Sequence, residues 1–397
     1  MSILFKRDLV SKNEYFIYFY WAFDLIVRRF TSIASSVFGV HAYVEIINAV
    51  VWGAVILYCL DVFLLKIKIN DFFLSFIVIF FSFAAHSIWS FNDLIISNRP
   101  VFLLTIFPYY FLGRIFVIND NILKNMGRIS RMVLVINIPI YFLIYRHRVG
   151  SLVSTDNMGF AYQLLPHILL LFYIALKVHK LSNWFWFLTG TVLLTMQGTR
   201  GPLLLIVLFY IWYCIQNRSA VQNSLIALAS GTILILLFEM NLFKLILNVM
   251  IRVFSAVGIS TRVFELLLIS NSVDALTGRN IVQSRIMEAI NTNSKYGLGP
   301  YGDIFITRNT SISAEGMYAH NFFLELMCHY GIVIGIIAGV LLFLLATAAY
   351  FSLKTELERF FMAILLCCSL VKFLFSGSYL LEPSMYVLVG YSVTALS

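Results

Sequence analysis

Three short clusters hold the side chains of this 397-residue chain that could do chemistry, and each lies at the edge of a long apolar stretch. One is Gly198-Thr199-Arg200-Gly201-Pro202, between two apolar blocks. An arginine in so short a connection sits at the apolar-aqueous interface or points into the protein, and Pro202 suits the first turn of a following helix. The same arginine would also serve as an anchor whose charged head reaches water. The second cluster is Gly278-Arg279 followed by Gly297-Leu298-Gly299-Pro300-Tyr301-Gly302. Arg279 opens an amphipathic stretch, Asn280 to Ile290, with Ile281, Val282, Ile286, Ala289 and Ile290 as its expected buried positions. The glycines permit tight turns and close backbone approach, but no strand and lysine of a phosphate-binding P-loop accompany them. The third cluster is Tyr318-Ala319-His320-Asn321-Phe322-Phe323-Leu324-Glu325. A histidine can take a proton from a hydroxyl near neutral pH; at a membrane interface it can also be a structural hydrogen-bonding residue. Glu325, five residues along, could orient the histidine or an acceptor.

The elements that must position these clusters are set by composition. Apolar and aromatic residues make up 61% of the chain, charged residues 12%, and the mean hydropathy is +0.90. A soluble domain has about 45–50% apolar and about 25% charged residues, so a soluble enzyme, a disordered protein and a disulfide-built secreted domain are excluded. The blocks Phe72 to Asn92, Leu181 to Thr199, Ser219 to Phe238 and Leu326 to Leu353 contain no Asp, Glu, Lys or Arg, and about 20 such residues cross a bilayer core as a helix. The expected fold is an all-α polytopic membrane protein of about 11–12 transmembrane helices. Spans are expected near 46–65, 72–90, 100–118, 132–146, 160–178, 183–198, 201–216, 221–239, 330–350, 360–376 and 383–397. The aromatic stretch Tyr15 to Val27 either precedes them as a further span or lies in the interface.

The formal net charge of +9 is assigned to basic cytoplasmic loops rather than to a nucleic-acid partner. Lys66, Lys68, Lys124, Arg128, Lys177 and Lys180 fall on one face, which puts both termini in the cytoplasm and Arg148 and Arg200 on the opposite face. The five cysteines have no metal-ligand spacing, so neither zinc nor disulfides are expected. No cleavable signal pattern is expected at the N-terminus. The segment between Glu239 and His320 is too charged to span, and Leu245 to Val257 and Val263 to Ile269 keep helical apolar spacing. The expected organisation is a bundle over 1–239, a folded extracytoplasmic cap over 240–320 and further spans over 321–397. Gly331, Gly335 and Gly339 recur every fourth residue, the spacing for close helix packing. Arg114 and Lys372 lie near span ends and are left out of the chemistry.

Taken in order, Arg-Gly between two late spans, Gly-Arg and Gly-x-Gly in one large loop, and His-Asn-x-x-Leu-Glu entering a Gly-rich span resemble the O-antigen polymerase and O-antigen ligase superfamily. The resemblance covers roughly Trp184 to Leu353, and His320 to Leu326 followed by Gly331-Ile332 looks most like the polymerase branch, the Wzy type. Upstream, the loop from Arg146 to Gly159 is similar to the family's basic loop, with Asp156-Asn157 in place of its Pro-Asn pair.

The resemblance implies a GT-C-like bundle with a large periplasmic loop, in the inner membrane of a bacterium, with its active site facing the periplasm. It implies metal-independent transfer with no cofactor, using undecaprenyl-pyrophosphate-linked oligosaccharide as donor and acceptor. A chain-length regulator and a flippase are the implied protein partners. Arg200 and Arg279 would bind the pyrophosphate leaving group, because a guanidinium matches phosphate oxygens with two parallel hydrogen bonds. His320 would be the base that activates the acceptor hydroxyl. Arg148, Arg285, Arg308, Tyr318, Asn321 and Glu325 would be structural or sugar-contact residues. The ligase that moves finished polymer to lipid A-core, and a transporter of the same lipid-linked sugars, are the competing expectations.

Overall fold

A computed structural model describes residues 14–22, 109–146, 152–196, 200–217, 242–256, 277–292, 295–308, 317–374, 376–380 and 382–397, with a few positions between 50 and 57. The expected spans 72–90 and 221–239, most of 46–65, the first part of 100–118, Val263 to Ile269 and Arg148 lie outside the described residues. Among the described residues the regular structure is all helical, with no strand. Two helical stretches, Gly159–Val178 and Ile332–Ser352, are long and apolar enough to cross a membrane; Gly201–Asn217 and Pro383–Leu396 are apolar but shorter.

In chain order the helices are α1 (Asp120–Arg146), α2 (Leu152–Val178), α3 (Leu181–Met196), α4 (Arg200–Asn217), α5 (Leu242–Ala256), α6 (Thr277–Thr292), α7 (Gly302–Thr307), α8 (Phe322–Tyr330), α9 (Ile332–Ser352), α10 (Glu356–Leu366) and α11 (Pro383–Leu396). Further helical residues lie at 14–22 and 109–115. The chain divides into two compact units, one formed by Met1–Ile129 with Gly278–Ser397, the other by Ser130–Thr277.

In the unit from Ser130 to Thr277, α2 is the inner helix. Leu164, Leu165, Ile168 and Leu169 are fully buried, and Phe172 stacks on Phe187 of α3 with ring centroids 4.3 Å apart. Ser130 Oγ bonds His167 Nδ1 at 3.0 Å, joining α1 to α2. The helix ends where His179 turns left-handed at φ 52°, its N–H still reaching the carbonyl of Ala175. Helix α4 begins at Arg200 with Pro202 in its first turn, and a side chain at Gly201 would collide with the Tyr162 hydroxyl. Helix α5 overlaps the expected amphipathic stretch Leu245 to Val257.

In the other unit, α8 and α9 form a hairpin turned by Gly331 at φ 84°. A Cβ at Gly335 would stand 2.6 Å from the Leu326 backbone, and one at Gly339 would stand 2.6 Å from the Phe323 ring. The four-residue glycine spacing thus lets α9 lie directly on α8. The far side of α9 leaves Val333, Ile337, Leu341 and Leu344 more than half exposed, an apolar face that suits lipid. Helix α10 opens with a capping box between Thr355 and Glu358, and Phe361 stacks on Phe116 at 4.2 Å.

Helix α11 crosses the helical residues 109–115 at a pair of glycines. A Cβ at Gly390 would strike the Tyr110 carbonyl, and one at Gly113 would strike the Val387 carbonyl. Beside them Thr394 Oγ1 donates to the Arg114 carbonyl at 2.9 Å and accepts from Arg114 Nη1 at 3.3 Å. Because the obstacle is backbone, Gly390→Ala must push the helices apart, and overpacking of this kind costs about 1–3 kcal/mol. Gly159, with nothing within 4 Å of its Cβ direction, should accept alanine with a gain in helix propensity of up to about 1 kcal/mol. Thermal unfolding of the two variants in detergent should move in opposite directions; a Gly390→Ala protein as stable as the parent would contradict the close crossing.

Candidate functional site

The site is assembled on α8. Asn321 caps this helix, its side-chain oxygen accepting the Leu324 N–H at 3.1 Å, so the role it has here is structural. The capping leaves Glu325 and His329 four residues apart on one face, both fully buried. Two other segments meet that face. Asp303 of α7, 1% exposed, places Oδ1 at 2.9 Å from His329 Nε2. The other imidazole nitrogen, Nδ1, lies 2.8 Å from the Tyr379 hydroxyl. Glu325 accepts from the Ser378 hydroxyl and from the Tyr379 N–H at 3.3 Å.

Asp303, Glu325 and His329 each offer a ligand atom within 4.8 Å of the others, a set that could hold a divalent cation. As they stand, Asp303 and His329 bond each other, and Glu325 is bonded by Ser378 and Tyr379. Burial pushes the Glu325 carboxyl well above the usual carboxylate range, and the neighbouring Asp303 charge adds to this. Burial, then the Glu325 charge, pushes the Tyr301 hydroxyl up to about 12.

The pH consequence has a definite sign. The folded protein keeps a proton on Glu325 that the unfolded chain releases near the ordinary carboxylate value. That contribution to stability is full below the unfolded value and falls away as pH rises through the folded one. Glu325→Gln keeps the neutral shape with no proton to lose. Its thermal midpoint should therefore fall less than the parent's as pH rises from about 5, read by scanning fluorimetry; identical slopes would contradict a protonated Glu325.

The glycine cluster serves α8 from its other end. Gly297 and Gly299 adopt φ values of 69° and 79°, which lets the Leu298 N–H reach the Cys328 carbonyl at 2.8 Å and the Gly299 N–H reach the His329 carbonyl at 2.9 Å. The turn satisfies carbonyls that the helix end would leave unpaired. Helix α6 packs alongside through Val282, Ile286 and Ile290, which bury against Ala319, Leu324 and Cys328. Ile281, expected among the buried positions, is 46% exposed. The buried residues follow a strict four-residue spacing, and Ile281 lies about 100° around the helix from that narrow stripe.

His320 precedes α8, buried at 7% exposure and left-handed at φ 55°. Such a conformation is costly for a residue with a Cβ and persists where surroundings impose it. Its ring lies 4.1 Å from that of Tyr318. Arg279 lies in the first turn of α6, in the same unit. Arg285, further along α6, is exposed and pairs with Glu288 at 3.5 Å. Arg308 follows α7 and is half-buried. Arg200 is the first residue of α4 and belongs to the other unit. Lys372, 4% exposed, forms an ion pair with Glu382.

Sequence reasoning missed Asp303, His329, Ser378 and Tyr379. The spacing Glu325-x-x-x-His329 in an apolar helix was the available signal, since two polar residues on one helical face need partners inside the fold. The chain matches no protein-family model, and no curated protein matches it.

Proposed function

We propose that the chain is a multi-pass membrane glycosyltransferase that polymerises lipid-linked oligosaccharide repeat units, with the GT-C-like bundle and periplasm-facing loop that the resemblance implies, in the inner membrane of a bacterium. The observation that carries this reading is one shared core: α6, whose first turn holds Arg279, buries Val282, Ile286 and Ile290 against Ala319 and Leu324, the close neighbours of His320. A cation on a helix N-terminal turn suits an anionic group, because the helix end adds partial positive charge. A histidine held in an imposed conformation suits a base that must meet one hydroxyl.

In the proposed step a ring nitrogen of His320 takes the proton of the acceptor sugar hydroxyl as its oxygen bonds to the anomeric carbon of the donor. The bond from that carbon to the pyrophosphate oxygen breaks, and undecaprenyl pyrophosphate leaves with the electron pair. Arg279 stabilises the charge that develops on it. The exposed apolar face of α9 supports lipid contact for the bundle.

Deletion of the gene in its own host tests this reading. A polymerase deletion should leave lipopolysaccharide capped with a single repeat unit. Accumulated long polymer on the lipid carrier would mean a ligase instead. Repeat units retained on the cytoplasmic face would mean a transporter.

A further inference from the structure

Helix α7 presents Asp303 and Thr307 four residues apart, so both lie on one face, and both are buried. That face meets the chain just before His320. Asp303 Oδ2 accepts the Ala319 N–H at 2.8 Å. Thr307 Oγ1 accepts the Met317 N–H at 2.6 Å and donates to the Met317 carbonyl at 2.7 Å. The two registers match physically: four helical residues advance about 6 Å, and two extended residues advance about 6.6 Å. A four-residue spacing on α7 thus grips alternate residues, 317 and 319. The grip ends one residue before His320, whose φ of 55° needs the preceding chain held in place. The free end of the clamp is fixed in turn, since the other oxygen of Asp303 lies 2.9 Å from His329 Nε2 on α8.

We infer that Asp303 and Thr307 are positioning residues for His320: they fix the backbone that delivers the base, and the buried pair Asp303-His329 ties that clamp to α8. The inference rests on the proposed glycosyl-transfer reading. Asp303 touches no reacting atom in it, and its effect on rate passes through the placement of His320. Asparagine at 303 can preserve the clamp, its oxygen accepting from Ala319 while its amide donates to a neutral His329 whose Nδ1–H turns to Tyr379. Alanine cannot.

The test uses full-length protein in lipid nanodiscs with undecaprenyl-pyrophosphate-linked repeat units extracted from the host. Asp303→Ala should lower the maximal rate by about 10²-fold, the cost of misplacing a reacting group by about 1 Å, with little change in the substrate concentration needed for half-maximal rate. The acid limb of its pH-rate profile, which reports the essential base, should also move. Asp303→Asn should restore both rate and profile, and Thr307→Val should show a smaller loss in the same direction. If Asp303→Ala fails to reach the membrane, Thr307→Val and Asp303→Asn carry the comparison. A parent-like rate and profile per folded molecule in Asp303→Ala or, where it does not fold, in Thr307→Val, beside an inactive His320→Ala, would overturn the clamp and leave the glycosyl-transfer reading standing. A fully active His320→Ala would sink that reading itself.

Discussion

His320→Ala should reduce polymer formation by about 10²–10⁴-fold, the usual effect of removing a positioned acid or base, while the protein reaches the membrane at its normal level. The fold has reason to tolerate this change. The cap of α8 comes from Asn321, and the backbone on the other side is held by Asp303 and Thr307, so the imidazole is not what builds the loop. Alanine at a left-handed position carries a backbone cost of about 1–2 kcal/mol, of the kind the surroundings already impose on histidine there. Immunoblots of membranes beside lipopolysaccharide gels give the comparison. Long polymer at normal expression would remove His320 from the mechanism.

Arg279→Ala should cost about 10²–10³ in rate, as loss of one donor aimed at developing negative charge does. Arg279→Lys should also be impaired, because an ammonium keeps the charge but not the two parallel hydrogen bonds. The residue stands at the start of α6, ahead of the buried stripe Val282, Ile286 and Ile290 that anchors the helix, so folding should survive both substitutions. Rates of the purified variants decide between roles. Full activity in Arg279→Lys would leave only a charge requirement, and full activity in Arg279→Ala would remove the residue from the site.

The all-helical character of the described residues and two of the expected spans were legible because apolar run length and glycine spacing are local properties. The spans expected at 160–178 and 330–350 coincide with the two helical stretches long enough to cross a membrane. Pro202 stands in the first turn of α4, and the Gly335 and Gly339 spacing does bring α9 onto α8. The polar heart of the site was not legible. Asp303, Glu325, His329 and Tyr379 are separated by up to 54 residues along the chain in their contacts, and no local period brings them together. The same is true of the glycine turn at 297–299. Its spacing allowed close approach to any partner, and only the folded chain shows that the partner is the carboxyl end of α8. Ile281 marks a finer limit, since apolar type alone does not tell which side of a short helix faces its neighbour.

The most direct test of the central claim is to incubate the purified protein in nanodiscs with undecaprenyl-pyrophosphate-linked repeat units alone, in chelator-containing buffer, and to resolve the products by length beside a His320→Ala control. A ladder of products that disappears in the control is the predicted result. Repeat units that remain unextended by the parent protein, or a ladder that persists without the histidine, would contradict the account.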